Sequence, residues 1–86
     1  MLGFEPIQVS IAAEKTSDGN YKVKLQQEEI FSERVLDEKT FQRFREAVGA
    51  ANPSIGAPEL VGQHFKGPLS RRVLEDFGFA EFYRAA

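Results

Sequence analysis

An α+β domain is the fold class this sequence predicts, and three observations carry it. They are strict apolar alternation near the N-terminus, a capped amphipathic run in the middle, and apolar residues at helical spacing towards the C-terminus. In Ile7-Gln8-Val9-Ser10-Ile11 every second residue is apolar, the period of a half-buried strand. Tyr21-Lys22-Val23-Lys24-Leu25-Gln26 repeats the pattern with lysines on the wet face. Between them Asp18-Gly19-Asn20 supplies residues that tolerate positive φ. The pair predicts an antiparallel β-hairpin with strands at roughly 5–14 and 20–27. Ile30 breaks the parity of Tyr21, Val23 and Leu25 while Phe31 keeps it. A bulge or bend near Gln27–Glu29 reconciles the two, so the chain runs on towards Phe31 with a third short strand as an optional extension.

The main helix follows, over about 37–51. Asp37 is placed to cap it, with Leu36 and Phe41 at the spacing of a hydrophobic staple. Phe41, Phe44, Val48 and Ala51 fall on one stripe, and Asn52-Pro53 ends the run. The small residues Ala47 to Ala51 are expected to lie against the sheet or another helix. A loop over 52–58 leads to two or three short C-terminal helices. The first is read at roughly 58–65, from Leu60, Val61, His64 and Phe65, and is broken by Gly67-Pro68. Ser70 caps the second, lined by Leu69, Val73, Leu74 and Phe77, with Gly78 at the position of a Schellman glycine and Phe79 able to touch Leu74. Phe79, Phe82 and Tyr83 suggest a last short turn of helix. The expected core is Ile7, Val9, Ile11, Val23, Leu25, Leu36, Phe41, Phe44, Val48, Leu60, Val61, Val73, Leu74, Phe77 and Phe79.

At 86 residues and 9.7 kDa the chain has room for one core, and residues 1–86 are read as a single domain. The absence of cysteine removes disulfides, thiolate metal sites, cysteine nucleophiles and iron–sulfur clusters. The longest apolar runs are far short of the roughly 20 residues that span a bilayer, and Met1–Ala13 lacks a basic n-region. A cytoplasmic protein without a membrane partner is therefore expected. The net charge of −2 argues against general electrostatic capture of nucleic acid. Residues 1–40 hold five basic groups against eight acids, and residues 41–86 hold six against five, a mild dipole along the chain.

No motif carries catalysis. The glycines Gly49, Gly56, Gly62, Gly67 and Gly78 are spaced as punctuation and not as a phosphate loop, and no serine sits in a nucleophile elbow. His64 is the only histidine, with Glu59 its one nearby acid, and reads as a half-buried helix-end side chain. The acids Glu28, Glu29, Glu33, Asp37 and Glu38 read as a solvated strand edge and helix start. No cofactor, no metal and no enzymatic activity are expected. The leading functional expectation is a non-enzymatic protein-binding module: a small adaptor, inhibitor or assembly subunit. Eight Phe and two Tyr are many for so small an interior, and aromatic rings beside arginine compose interface hot spots. The candidate surface is Arg72, Phe79, Phe82, Tyr83 and Arg84, with an open sheet edge as the other route to another protein chain, identical or foreign. The alternative is a nucleic-acid-binding domain using Lys66, Arg71, Arg72 and Arg84 among the rings of segment 64–84. A third is a small metal-dependent hydrolase or nuclease fragment joining His64 to the acids of 28–38.

Overall fold

The computed structural model describes residues 7–54 and 56–79. It is an α+β fold whose element order is β1 (Ile7–Lys15), β2 (Tyr21–Gln27), β3 (Ile30–Leu36), α1 (Glu38–Ala51), β4 (Phe65–Leu69) and α2 (Arg71–Asp76). The four strands form one antiparallel sheet in the order β3-β2-β1-β4. Three strands in a meander, with a fourth returning beside the first, is the order of a Greek key. Here the return passes through α1.

The predicted hairpin is present, and the third strand is full length. Its register pairs Ile11 with Leu25 and Leu25 with Ser32. No bulge separates β2 from β3. A two-residue turn, Glu28–Glu29, joins them, with Glu28 at φ 54 and Gln27 opposite Ile30. That turn resolves the parity conflict at Ile30. On the way back the even positions of β3 face the core and the odd positions face away.

One face of the sheet is covered by the two helices, and the core lies between. Val9, Ile11 and Ala13 of β1, Val23 and Leu25 of β2, and Leu69 of β4 meet Phe41, Phe44 and Val48 of α1, with Leu60, Leu74 and Phe79 completing the cluster. Tyr21 stacks on Phe41 with ring centroids 4.1 Å apart, and Phe44 takes Phe77 edge-on at 5.1 Å. Leu36, Val73 and Phe77 are partly buried against this core. Of Ile7 only the backbone is described, paired with Leu69.

Both helices begin as the sequence predicts. The Asp37 carboxylate accepts from the Thr40 backbone N–H at 2.8 Å, and the Ser70 hydroxyl accepts from the Val73 N–H at 3.2 Å. The end of α2 is a complete Schellman motif. The Phe79 N–H donates to the Leu74 carbonyl at 2.7 Å and the Gly78 N–H to Glu75 at 3.1 Å, with Gly78 at φ 86.

The segment 58–69 departs from the helix expected at 58–65. Leu60 and Gly62 both take positive φ, 67° and 77°, which no helical turn accommodates. Instead the Leu60 carbonyl accepts from the Ala13 N–H at 3.1 Å, Val61 forms a parallel bridge to Ala13, and the chain turns into β4. The free edge of β1 has taken this segment as its partner, a tertiary demand that outweighs local spacing. Val61, expected in the core, is 38% exposed. Gly67-Pro68 does not break an element but lies within β4, where the Phe65 ring fills the space a Cβ on Gly67 would occupy. The small end of α1 lies against the sheet through Val48, as expected, and on another side against the loop that follows it. Gly49 is approached by the backbone of Gly56 and Ala57, and an added Cβ would stand 2.7 Å from the Gly56 carbonyl carbon. Arg45 holds that loop in place, donating to the Pro58 carbonyl at 2.6 Å and standing 3.6 Å from Glu59. The last expected turn of helix falls in residues 80–86, outside the described residues.

Two glycines therefore differ in what they permit. Gly78→Ala meets only Arg34 Nε, at an ordinary contact of 3.8 Å, and is expected to lose about 1 kcal/mol from its positive φ. Gly49→Ala forces backbone apart and is expected to lose about 2 kcal/mol despite the helix propensity gained. Urea denaturation of the two variants checks the order. The Thr40 backbone N–H and hydroxyl hold the Asp37 carboxyl below its ordinary value. Its stabilisation is thus complete above the unfolded value of about 3.9 and is lost as pH falls through the folded one. Asp37→Ala should lower the melting temperature at neutral pH, with the gap to the parent closing in that acid window.

Candidate functional site

The face of the sheet opposite the helices carries the even residues of β1, β2 and β4 and the odd residues of β3. Ser10 and Ala12 stand beside Gln26 and Lys24, and Phe31 and Glu33 continue the same rows on β3. Ser10, Ala12, Lys24 and Gln26 floor a groove of about 460 Å³ with Phe31 on one side and the turn Gly62–Gln63–His64 on the other. Lys24 reaches Glu14 at 3.1 Å and Lys22 reaches Glu33 at 3.4 Å, both solvent-exposed pairs that set local charge more than stability. Lys66 shares the face, opposite Ser10.

Phe31 and Val35 are the most exposed large apolar side chains among the described residues, at 54% and 57%. Both belong to β3, the terminal strand. Whether its outer edge offers backbone groups follows from the phase of the ladders. The Thr16 N–H donates to the Asn20 carbonyl at 2.8 Å, which makes 14/22, 12/24 and 10/26 the hydrogen-bonded pairs of β1 and β2. The odd residues of β2 then turn their backbone to β3, pairing 21/36, 23/34, 25/32 and 27/30. Phe31, Glu33 and Val35 are left with N–H and C=O pointing away from the sheet, and of these the Glu33 carbonyl already accepts from Arg34 Nη1 at 2.8 Å. Among the described residues no strand pairs there.

The opposite edge is different. Odd residues of β1 bond outward to β4, as Ala13 does to Leu60, so 7/69, 9/67 and 11/65 are the bonded pairs. Pro68 falls at an outward-facing position, where its missing N–H interrupts no ladder bond and blunts the edge.

Against the sequence-derived candidates, the structure places Phe79 in the core at 0% exposure, so its ring is not part of any accessible surface. Its cover includes the Arg34 guanidinium, 5.6 Å from the ring centroid. The Arg34 Nε donates to the Gly78 carbonyl at 3.0 Å, and Nη1 donates to Ser32 Oγ at 3.0 Å. Arg72 is exposed and Arg71 half-buried on α2. Lys66 lies on the open face, whereas α2 packs on the covered side through Leu74. The basic set Lys66, Arg71 and Arg72 is thereby divided between two sides of the molecule. Phe82, Tyr83 and Arg84 lie outside the described residues. His64 is exposed in the turn before β4, not half-buried at a helix end. Among the described residues no group of three or more His, Asp or Glu side chains is placed to hold a metal ion. No helix of the described residues is long and apolar enough to cross a membrane. Sequence reasoning missed Phe31 and Val35. The signal was there in the alternation Phe31-Ser32-Glu33-Arg34-Val35, once Glu28–Glu29 is taken as a turn.

No family model, curated protein or solved structure matches this chain.

Arg34 joins the β3 edge to the end of α2, whereas Arg72 is exposed on α2. Arg34→Ala is therefore expected to lower unfolding free energy by about 1–2 kcal/mol, and Arg72→Ala by less than about 0.5 kcal/mol. Chemical denaturation of both variants measures the difference.

Proposed function

We propose that this chain is a non-enzymatic protein-binding module that takes an extended segment of another protein chain along the outer edge of β3. The observation that carries the reading is the conjunction on one strand of outward backbone groups at Phe31, Glu33 and Val35 with the exposed side chains of Phe31 and Val35. Addition of a strand to such an edge draws affinity from main-chain hydrogen bonds and selectivity from alternate side chains. The edge is seven residues long and contains no proline, unlike β4. The groove beside Phe31 extends the apolar contact onto the sheet face.

A second reading has a separate support. Lys22, Lys24 and Lys66 share the open face with the Phe31 ring, and charge with a flat ring is what single-stranded nucleic acid uses. It is the weaker of the two because Lys22 and Lys24 already hold carboxylates.

Val35→Pro separates these readings. It removes an outward N–H without touching a bond to β2, so the fold is expected to survive with a melting temperature within a few degrees. A protein captured by the tagged parent chain should be lost to the Val35→Pro variant and to Phe31→Asp. Undiminished capture by both folded variants would remove the edge from the reading. Oligonucleotide binding that falls steeply with salt, and falls further in Lys66→Glu, would favour the second reading.

A further inference from the structure

We infer that the occupant of the β3 edge is β3 of a second copy of this chain, paired antiparallel about a two-fold axis through Glu33; the inference rests on the protein-binding reading above. A two-fold axis normal to the sheet keeps the open faces of both copies on the same side, so odd residues meet odd residues. With the axis at Glu33, Phe31 of each copy stands opposite Val35 of the other, and the outward groups of 31, 33 and 35 close six main-chain hydrogen bonds, the Glu33 carbonyl using its second lone pair because Arg34 Nη1 already donates to it at 2.8 Å. An axis through Ser32 or Arg34 sets Glu33 against Phe31 or against Val35 and leaves fewer bonded pairs. On the covered face the same register brings Ile30 opposite Leu36, both partly buried against the core. Each exposed apolar side chain of the edge thus finds an apolar partner in the second copy.

The axis brings the two Glu33 carboxylates together, a like-charge contact on the open face. Lys22 already binds Glu33 at 3.4 Å, and Lys24 stands opposite it in the β2–β3 register. The central pair of carboxylates therefore sits between four lysines, two from each copy. Charge is compensated within the contact, and the product is a continuous eight-stranded sheet. A seven-residue edge buries less than the roughly 1,200–2,000 Å² of a standard interface, so the dissociation constant belongs in the micromolar range or weaker.

Sedimentation velocity from about 10 µM to about 1 mM tests this by mass action. The parent chain should pass from the 9.7 kDa monomer to twice that mass, and Val35→Lys should weaken the step at least about tenfold while keeping its circular dichroism. Glu33→Lys tests the axis. Alone it places two lysines in contact and should weaken self-association, whereas a mixture with the parent chain sets Lys against Glu and should form the mixed dimer in preference to either homodimer. A parent chain that stays monomeric throughout, a dimer indifferent to Val35→Lys, or a mixture with no preference for the mixed pair would each overturn the inference. A monomeric parent whose captured foreign protein is lost in Val35→Pro would overturn the second copy alone and leave the edge reading standing.

Discussion

Strand β1 has a hydrogen-bonded neighbour along both sides, and its alternation sets the facing of every other strand. Val9, Ile11 and Ala13 are buried with Val23 and Leu25 on one flank and Leu69 on the other. A slip of one residue in either ladder would turn a whole apolar row to water. With each buried aliphatic side chain contributing about 1.5–3 kcal/mol, such a slip exceeds the entire stability of a domain this small. The register is consequently rigid, and the rows on the open face inherit that rigidity. Ser10, Ala12, Lys24, Gln26 and Phe31 are held in place by side chains they never touch.

The same constraint explains which parts of the fold were legible in the residues. β1, β2 and α1 declare themselves through local periodicity and a local cap, and tertiary contacts add to those preferences without opposing them. The Schellman end of α2 was equally legible, because Gly78 and Phe79 act on carbonyls only three and five residues away. Segment 58–69 was not. Leu60, His64 and Phe65 are spaced as on a helix, yet the chain there answers to the unpaired edge of β1, some fifty residues earlier in sequence. Nothing local records that Ala13 needs an acceptor. The positive φ of Leu60, a residue that rarely adopts it, is the local strain accepted so that its side chain is buried and its carbonyl meets Ala13.

The candidate site was half legible for a related reason. An open sheet edge follows from a hairpin alone, but which edge is open depends on where β4 docks. The turn Glu28–Glu29 carries neither Gly nor Asn, so the usual marker of a two-residue hairpin is missing, and with it the sign that parity reverses at Ile30. Composition, conversely, pointed to excess aromatic rings near the carboxyl end. Among the described rings there, Phe79 is enclosed by the core and Arg34, and Phe77 packs edge-on against Phe44. A small interior held more rings than their number suggested, because edge-on and tilted arrangements around Phe44 let them share space.

The two sheet edges show how differently one chain treats the same hazard. β4 is five residues long, carries Pro68 at an outward position, and has Asn52 reaching the Pro68 carbonyl at 3.5 Å. Each of these features discourages a further strand. β3 is longer and only partly guarded by its charges. The Arg34 side chain lies over Phe79 with Nε on the Gly78 carbonyl and Nη1 on the outward Glu33 carbonyl, and the Glu33 carboxylate is engaged by Lys22. Had the edge been under pressure only to stay monomeric, a lysine in place of Val35 would have sufficed without disturbing a single buried contact. Two apolar side chains at 54% and 57% exposure, on a strand with three outward peptide groups, are what set this edge apart from β4 and are the ground of the binding proposal.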